Sequence, residues 1–203
     1  MRHIERVTGN LYQFESSRTA DQAFAECCFS SGVFAENSGD MKSALQLYHE
    51  TLTYDQGNAS AWINIGTILF RKKHFSMAAE CYRKALAIDP ENILANYDLG
   101  NVLDELNMPS EAAAHYLQAL QEDPQYANAH FNLGIDYAKV GEVRKAAQHY
   151  RLYLRYRSGD ETAWADRARR AIEQLQQHDL FIVRKPAIGI DVSLAENSSA
   201  AQR

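Results

Sequence analysis

Residues 59–92 decide the fold: Ala59-Ser-Ala-Trp62-Ile63-Asn64-Ile65-Gly66-Thr-Ile-Leu-Phe-Arg-Lys-Lys-His-Phe75-Ser-Met-Ala78-Ala79-Glu-Cys81-Tyr82-Arg-Lys-Ala85-Leu86-Ala-Ile-Asp89-Pro90-Glu-Asn92. Trp62, Ile65, Ile68 and Leu69 recur at intervals of three and four, as do Phe75, Ala78, Ala79 and Tyr82. That spacing predicts two amphipathic helices, joined by the basic turn between them. Shifted by 34 residues, the chain aligns with itself: Gly32, Gly66, Gly100 and Gly134 share a column. So do Ala44, Ala78, Ala112 and Ala146; Tyr48, Tyr82, Tyr116 and Tyr150; and Leu52, Leu86, Leu120 and Leu154. Four complete columns require internal duplication. Gly and Ala lack bulk where paired helices cross, so the backbones are expected to approach closely there, with Tyr and Leu filling the space beside them.

The breaks fall where helix pairs need them. Asn37-Ser38-Gly39-Asp40, Asn107-Met108-Pro109 and Val140-Gly141-Glu142 separate the halves of three units. Asp89-Pro90 and Asp123-Pro124 end second helices, because proline disfavours helical geometry in its predecessor. Pro109 suits the first turn of a helix, where its missing N–H costs nothing.

These residues resemble the tetratricopeptide repeat, whose period is 34 and whose signature is W-x-x-L-G early and A-x-x-x-F/Y followed by Pro later. The resemblance implies an all-α, right-handed superhelical solenoid of four TPR helix pairs plus a C-terminal capping helix. Repeats are expected at 25–58, 59–92, 93–126 and 127–160 within 25–160, with 1–24 as an N-terminal extension, 161–177 as the cap and 178–203 as a flexible tail. The outer repeats depart from the pattern: Gln56 and Ser158 stand where Pro90 and Pro124 do, and Thr51 and Tyr153 replace Ala85 and Ala119. Terminal repeats are commonly atypical, since one face has no neighbour. Trp164 opens the cap at first-helix register, but Arg167 and Ala168 stand where Leu-Gly belongs. In the extension, Leu11-Tyr12-Gln13-Phe14 is expected to form a strand or a loop packed on the first repeat. Leu180-Phe181-Ile182-Val183 followed by Arg184-Lys185 is an apolar-then-basic segment that either packs on the cap or docks into a groove.

Composition excludes other classes. At 46% apolar and 23% charged residues the chain is that of a globular protein. No apolar run approaches the roughly 18 residues of a transmembrane helix, and Met1-Arg2-His3-Ile4-Glu5-Arg6 is followed by no signal-peptide core, so a cytoplasmic location is expected. Three cysteines, Cys27, Cys28 and Cys81, lack the spacing of a disulfide framework or zinc site. Cys81, His115 and His149 form a column of metal-capable side chains, yet stacked helices lie on the order of 10 Å apart, whereas zinc needs ligands within about 2.3 Å. They are expected to face solvent or be half-buried. No nucleotide, hydrolase or metalloprotease motif is present, so no catalytic residue, metal or cofactor is assigned and the chain is expected not to be an enzyme.

The resemblance further implies that a partner segment lies in the concave groove lined by first helices. By position, the groove would present Phe29, Val33, Ile63, Thr67, Tyr97, Asn101, Phe131 and Ile135, with Asn64, Asp98 and Asn132 between them. An Asn there can both donate to and accept from the backbone of an extended peptide; the alternative is that the apolar members only pack repeat on repeat. No Lys or Arg occupies the carboxylate-gripping positions of repeats one to three, and Asp98, Asp104 and Glu105 make the third repeat acidic. A neutral, apolar or basic segment of a protein is the expected partner.

The formal net charge is −5, which gives no overall reason to expect nucleic acid or an anionic membrane. Residues 139–170 nonetheless hold nine basic against four acidic side chains. Arg151, Arg155 and Arg157 alternate with Tyr153 and Tyr156, a second reading being RNA or polyanion binding through this face. Head-to-tail self-association of the acidic front with the basic end is a third. Asn10 to Glu15, Ala129 to Gly134 and Arg151-Leu152-Tyr153-Leu154 are also similar to the repeat portion of bacterial regulators in which a MerR-type helix-turn-helix precedes the array. That likeness implies a transcription-related regulatory module binding a protein and not DNA.

Overall fold

The computed structural model describes the backbone of residues 2–159 and 163–184, and the side chains of 19–159 and 163–177. Among the described residues it is built of helices alone: α1 (Arg2–Asn37), α2 (Met41–Tyr54), α3 (Ala59–Arg71), α4 (Phe75–Ile88), α5 (Ile93–Glu105), α6 (Pro109–Glu122), α7 (Ala127–Lys139), α8 (Val143–Tyr156) and α9 (Ala163–Arg184). Each packs on its neighbours in sequence, and α3 also reaches α5, so first helices stack side by side along one face. This is the all-α tetratricopeptide solenoid.

Local chemistry sets the boundaries. The side chains of Asp40, Asn58 and Asn92 accept hydrogen bonds from the N–H groups of Ser43, Ala61 and Ala95, capping α2, α3 and α5. Pro109 opens α6. The turns inside the four pairs place Gly39, Lys73, Asn107 and Gly141 at φ 84°, 62°, 60° and 79°. They stand 34 residues apart, so the repeat preserves a left-handed backbone where it does not preserve the residue.

The Ala column is wholly buried and the Tyr column nearly so. The Gly column works differently from a simple close approach of two backbones. A Cβ on Gly32, Gly66, Gly100 or Gly134 would come 2.7, 2.8, 2.4 and 2.7 Å from a ring carbon of Tyr48, Tyr82, Tyr116 and Tyr150. Each glycine therefore makes room for the tyrosine of its own repeat, sixteen residues on. The core is continuous through repeats two to four, with Leu99, Val102, Leu103 and Leu133 at its centre.

Two expectations at the ends are corrected. Leu11-Tyr12-Gln13-Phe14 is neither strand nor loop: α1 runs unbroken from Arg2 to Asn37, across the expected boundary at 24. No proline interrupts this stretch, and the only glycine before the first repeat is Gly9, so intrahelical hydrogen bonding continues. Likewise α9 does not stop at Gln177 but reaches Arg184, taking Leu180 to Val183 into the helix. Residues 185–203 of the expected tail lie outside the described residues.

Candidate functional site

The first helices α1, α3, α5 and α7 carry the positions named from the repeat register, and the structure treats them unequally. Ile63 and Phe131 are 8% and 6% exposed and pack repeat on repeat. Phe29, Val33, Tyr97 and Ile135 are half-buried. Phe29 lies against the Tyr48 ring at 5.7 Å, and Tyr97 against Tyr116 and Tyr126 at 5.8 and 5.1 Å. Thr67 Oγ1 bonds to the carbonyl of Ile63 at 3.0 Å and meets the Tyr82 hydroxyl at 3.1 Å.

The polar positions are linked to one another. Asn132 Nδ2 donates to Asn101 Oδ1 at 2.7 Å and to the Tyr116 hydroxyl at 3.2 Å, so it ties repeat four to repeat three. The Tyr116 hydroxyl lies 2.9 Å from Asn101 Oδ1 and 2.8 Å from Asp104 Oδ2, its single proton serving one at a time. Asn64 approaches the Tyr48 hydroxyl, which donates to Glu36 at 2.9 Å. The arrangement recurs every second repeat. Arg71 reaches back to Glu36 at 3.2 Å, as Lys139 reaches back to Asp104 at 3.5 Å. Asn132 is thus a structural tie between repeats three and four.

Asp98 has no ion pair among the described residues, and burial, only partly offset by Asn101, pushes its carboxyl up to about 6. A second buried acid, Asp136, is held by Lys139 at 3.1 Å. Burial and the Asp104 charge nonetheless raise it to about 6.

A pocket forms where α9 meets the row of first helices. Tyr97 from α5, Asn128, Phe131, Asn132 and Ile135 from α7, Tyr153 from α8, and Trp164 and Arg167 from α9 line a pocket of about 390 Å³. Four positions named from the sequence meet here; Asn128, Tyr153, Trp164 and Arg167 were missed as groove residues. Trp164 was read from the sequence as opening the cap at first-helix register, but nothing in the sequence showed its ring turned to Phe131 at 5.3 Å.

The polyanion candidates do not converge. Arg151 and Arg155 are exposed on α8, whereas Arg157 is half-buried past its end, donates to the Gly159 carbonyl at 2.7 Å and lines a separate 310 Å³ pocket. In the Cys-His column His115 and His149 are half-buried as expected and Cys81 is buried; His115 Nδ1 pairs with Asn96 Oδ1 at 3.0 Å. His149 Nδ1 pairs with His130 Nδ1 at 3.0 Å. Asn96 and His130 in turn each contact a carbonyl, Pro90 and Pro124, at 3.0 Å. A carbonyl only accepts, so His130 Nε2–H donates to Pro124, and the contact between the two Nδ1 atoms needs one imidazole to donate and the other to accept. Burial depresses both imidazoles, and His130 helps push His149 down to about 4. This tie between helices was invisible to a search for metal spacing; the signal was a recurring offset of nineteen residues.

Stacked helix pairs, a small-residue column facing a tyrosine column and a concave row of first helices define the protein as a tetratricopeptide-type solenoid. The family model for the Cilia and flagella-associated protein 70 middle TPR-like domain matches residues 34–152, and the chain belongs to that family. No curated protein matches by sequence. Among solved structures, a crystal structure of MamA is similar at 20% identity and a TM-score of 0.62, over 75% of this chain and 91% of that one. YrrB, described as a TPR protein with an unusual peptide-binding site, is similar at 19% identity and 0.60, over 77% and 88%. A Thermobaculum terrenum O-GlcNAc transferase mutant is similar at 24% identity and 0.61, over 66% of this chain and 26% of the transferase. These likenesses show the fold. Among the described residues no helix is long and apolar enough to cross a membrane.

Proposed function

We propose that the protein is a non-catalytic scaffold or adaptor that holds an extended segment of a protein partner in the groove formed by α3, α5, α7 and α9. The observation that carries this reading is the pocket of about 390 Å³, in which half-buried apolar side chains stand beside the amides of Asn128 and Asn132. Ligand sites are typically concave and mostly apolar with a few placed polar groups. Asp98, with no cation of its own, favours a neutral or basic residue beside repeat three. A cytoplasmic setting belongs to the same proposal, supported by three free thiols, two of them buried.

The test is affinity purification from the native cell with wild type, Asn64→Ala and Ile135→Arg side by side, with and without nuclease, read by mass spectrometry. A partner retained through nuclease and lost with Ile135→Arg is the expected result. Partners that survive both substitutions, or vanish with nuclease, would overturn the groove assignment.

A further inference from the structure

We propose that the α9 end of the groove is a two-part subsite for a peptide bearing an aliphatic or aromatic residue next to an acidic one. The apolar residue would sit against Phe131, Tyr153 and Trp164, and its acidic neighbour would meet the Arg167 guanidinium. This deepens the groove reading above and rests on it.

The slot is built of fixed rings. Phe131 makes edge-to-face contacts with Tyr153 at 5.0 Å and Trp164 at 5.3 Å. Its own burial holds the cluster in place, while Trp164 remains 55% exposed. A large aromatic side chain left open beside a cavity supplies apolar surface for a partner at little further cost in ordering.

Arg167 gives the slot its chemical preference. Its guanidinium lies 5.9 Å over the Phe131 ring and 5.5 Å over the Trp164 ring, and it is the only charged residue of the lining. Among the described residues, Asp166 on the same helix takes Arg169 at 2.8 Å, and Asp136 and Asp104 share Lys139. Aromatic faces position a guanidinium without neutralising it, so its donors remain for a carboxylate. A single-stranded nucleic acid would need a row of cations following its backbone, and Arg151 and Arg155 do not line the pocket.

The probe is a phage-displayed library of random dodecapeptides selected on the full chain. A fluorescent copy of an enriched peptide is then titrated against wild type, Arg167→Met, Trp164→Ala and Thr67→Arg, each checked for helicity and melting. Arg167 and Trp164 are exposed, so their variants are expected to fold. Enriched peptides should pair an aliphatic or aromatic residue with Asp or Glu, and Arg167→Met should weaken binding about 10- to 100-fold, the range of a charge-assisted hydrogen bond. Reselection on Arg167→Glu should exchange the acidic position for Lys or Arg.

Peptides with no acidic position, or affinity unchanged by Arg167→Met and Trp164→Ala, would overturn the subsite. If such peptides are still lost with Thr67→Arg, the groove reading stands without it. Insensitivity to all three variants, or no enrichment at all, would overturn both. Displacement of the peptide by oligo-dT at equal concentration would overturn the subsite in favour of nucleic acid.

Discussion

Replacing Gly100 by alanine tests the packing rule on which every repeat depends. The new Cβ would lie 2.4, 2.7 and 2.8 Å from three ring carbons of Tyr116, where carbon atoms ordinarily stand about 3.5–4.0 Å apart. The ring must withdraw by about 1 Å, but it is fully buried and its hydroxyl is held by Asn101, Asp104 and Asn132. Overpacking costs about 1–3 kcal/mol, and the hydrogen bonds strained by the shift add about 1–2 kcal/mol. Alanine returns about 1 kcal/mol through its helix propensity. The net expectation is a loss of about 1–4 kcal/mol, or a urea midpoint lowered by about 0.5–2 M for a chain of this size. Gly66→Ala should cost less: its nearest contact is 2.8 Å, and among the described residues the Tyr82 hydroxyl meets only Thr67. Urea unfolding followed by circular dichroism ranks the two. A Gly100→Ala protein within about 0.5 kcal/mol of wild type, or a reversed order, would refute the reasoning. Tyr116→Phe frees the ring from its hydroxyl partners, so the double variant should lose less than the sum of the singles.

Gly141→Ala meets nothing within 4 Å but sits at φ 79°, so its cost, about 1 kcal/mol, is one of backbone conformation alone and should not respond to changes at Tyr150. Lys73→Gly, relieving a side chain at φ 62°, should leave thermal stability unchanged or raise it by up to about 1 kcal/mol. His149 is depressed to about 4, below the usual 6.5 of an unfolded histidine. The unfolded chain therefore binds the proton first, and this contribution, complete above pH 6.5, is lost as pH falls toward 4. His149→Gln should make melting less sensitive to acidification across that window. Asp98, raised to about 6, has the opposite sign: its stabilisation is present below pH 3.8 and lost as pH rises through 6. Asp98→Asn should thus melt higher than wild type at pH 7.5 and no higher at pH 3.5.

Reading at a period of 34 exposed much of the fold because duplicated units repeat their core residues at fixed positions. Ala44, Ala78, Ala112 and Ala146 are all fully buried, at one equivalent place. The ends were less legible, since α1 and α9 extend beyond the units that the period describes. Of the site, Tyr97, Phe131, Asn132 and Ile135 were legible from register and do share a pocket, while Trp164 and Arg167 entered only through the seating of α9 on α7 and α8. Asn64 and Asn132 read as free groove amides; Asn132 is in fact bonded to the preceding repeat, a partner 31 residues away that no local pattern names.

The sequence by itself determined the number of helix pairs, their turns and which face of each helix is buried, because those follow from periodicity, capping and breaking within a few residues of one another. It was the tertiary structure that decided which residues meet: the glycine that clears space for a tyrosine, the histidine that answers another nineteen residues on, the arginine beside Trp164 that meets no carboxylate among the described residues. Such pairings depend on superhelical stacking and on rotamers chosen in competition with every neighbour. Those constraints act between helices, inside a repeat as well as from one repeat to the next, where the sequence of one helix is silent.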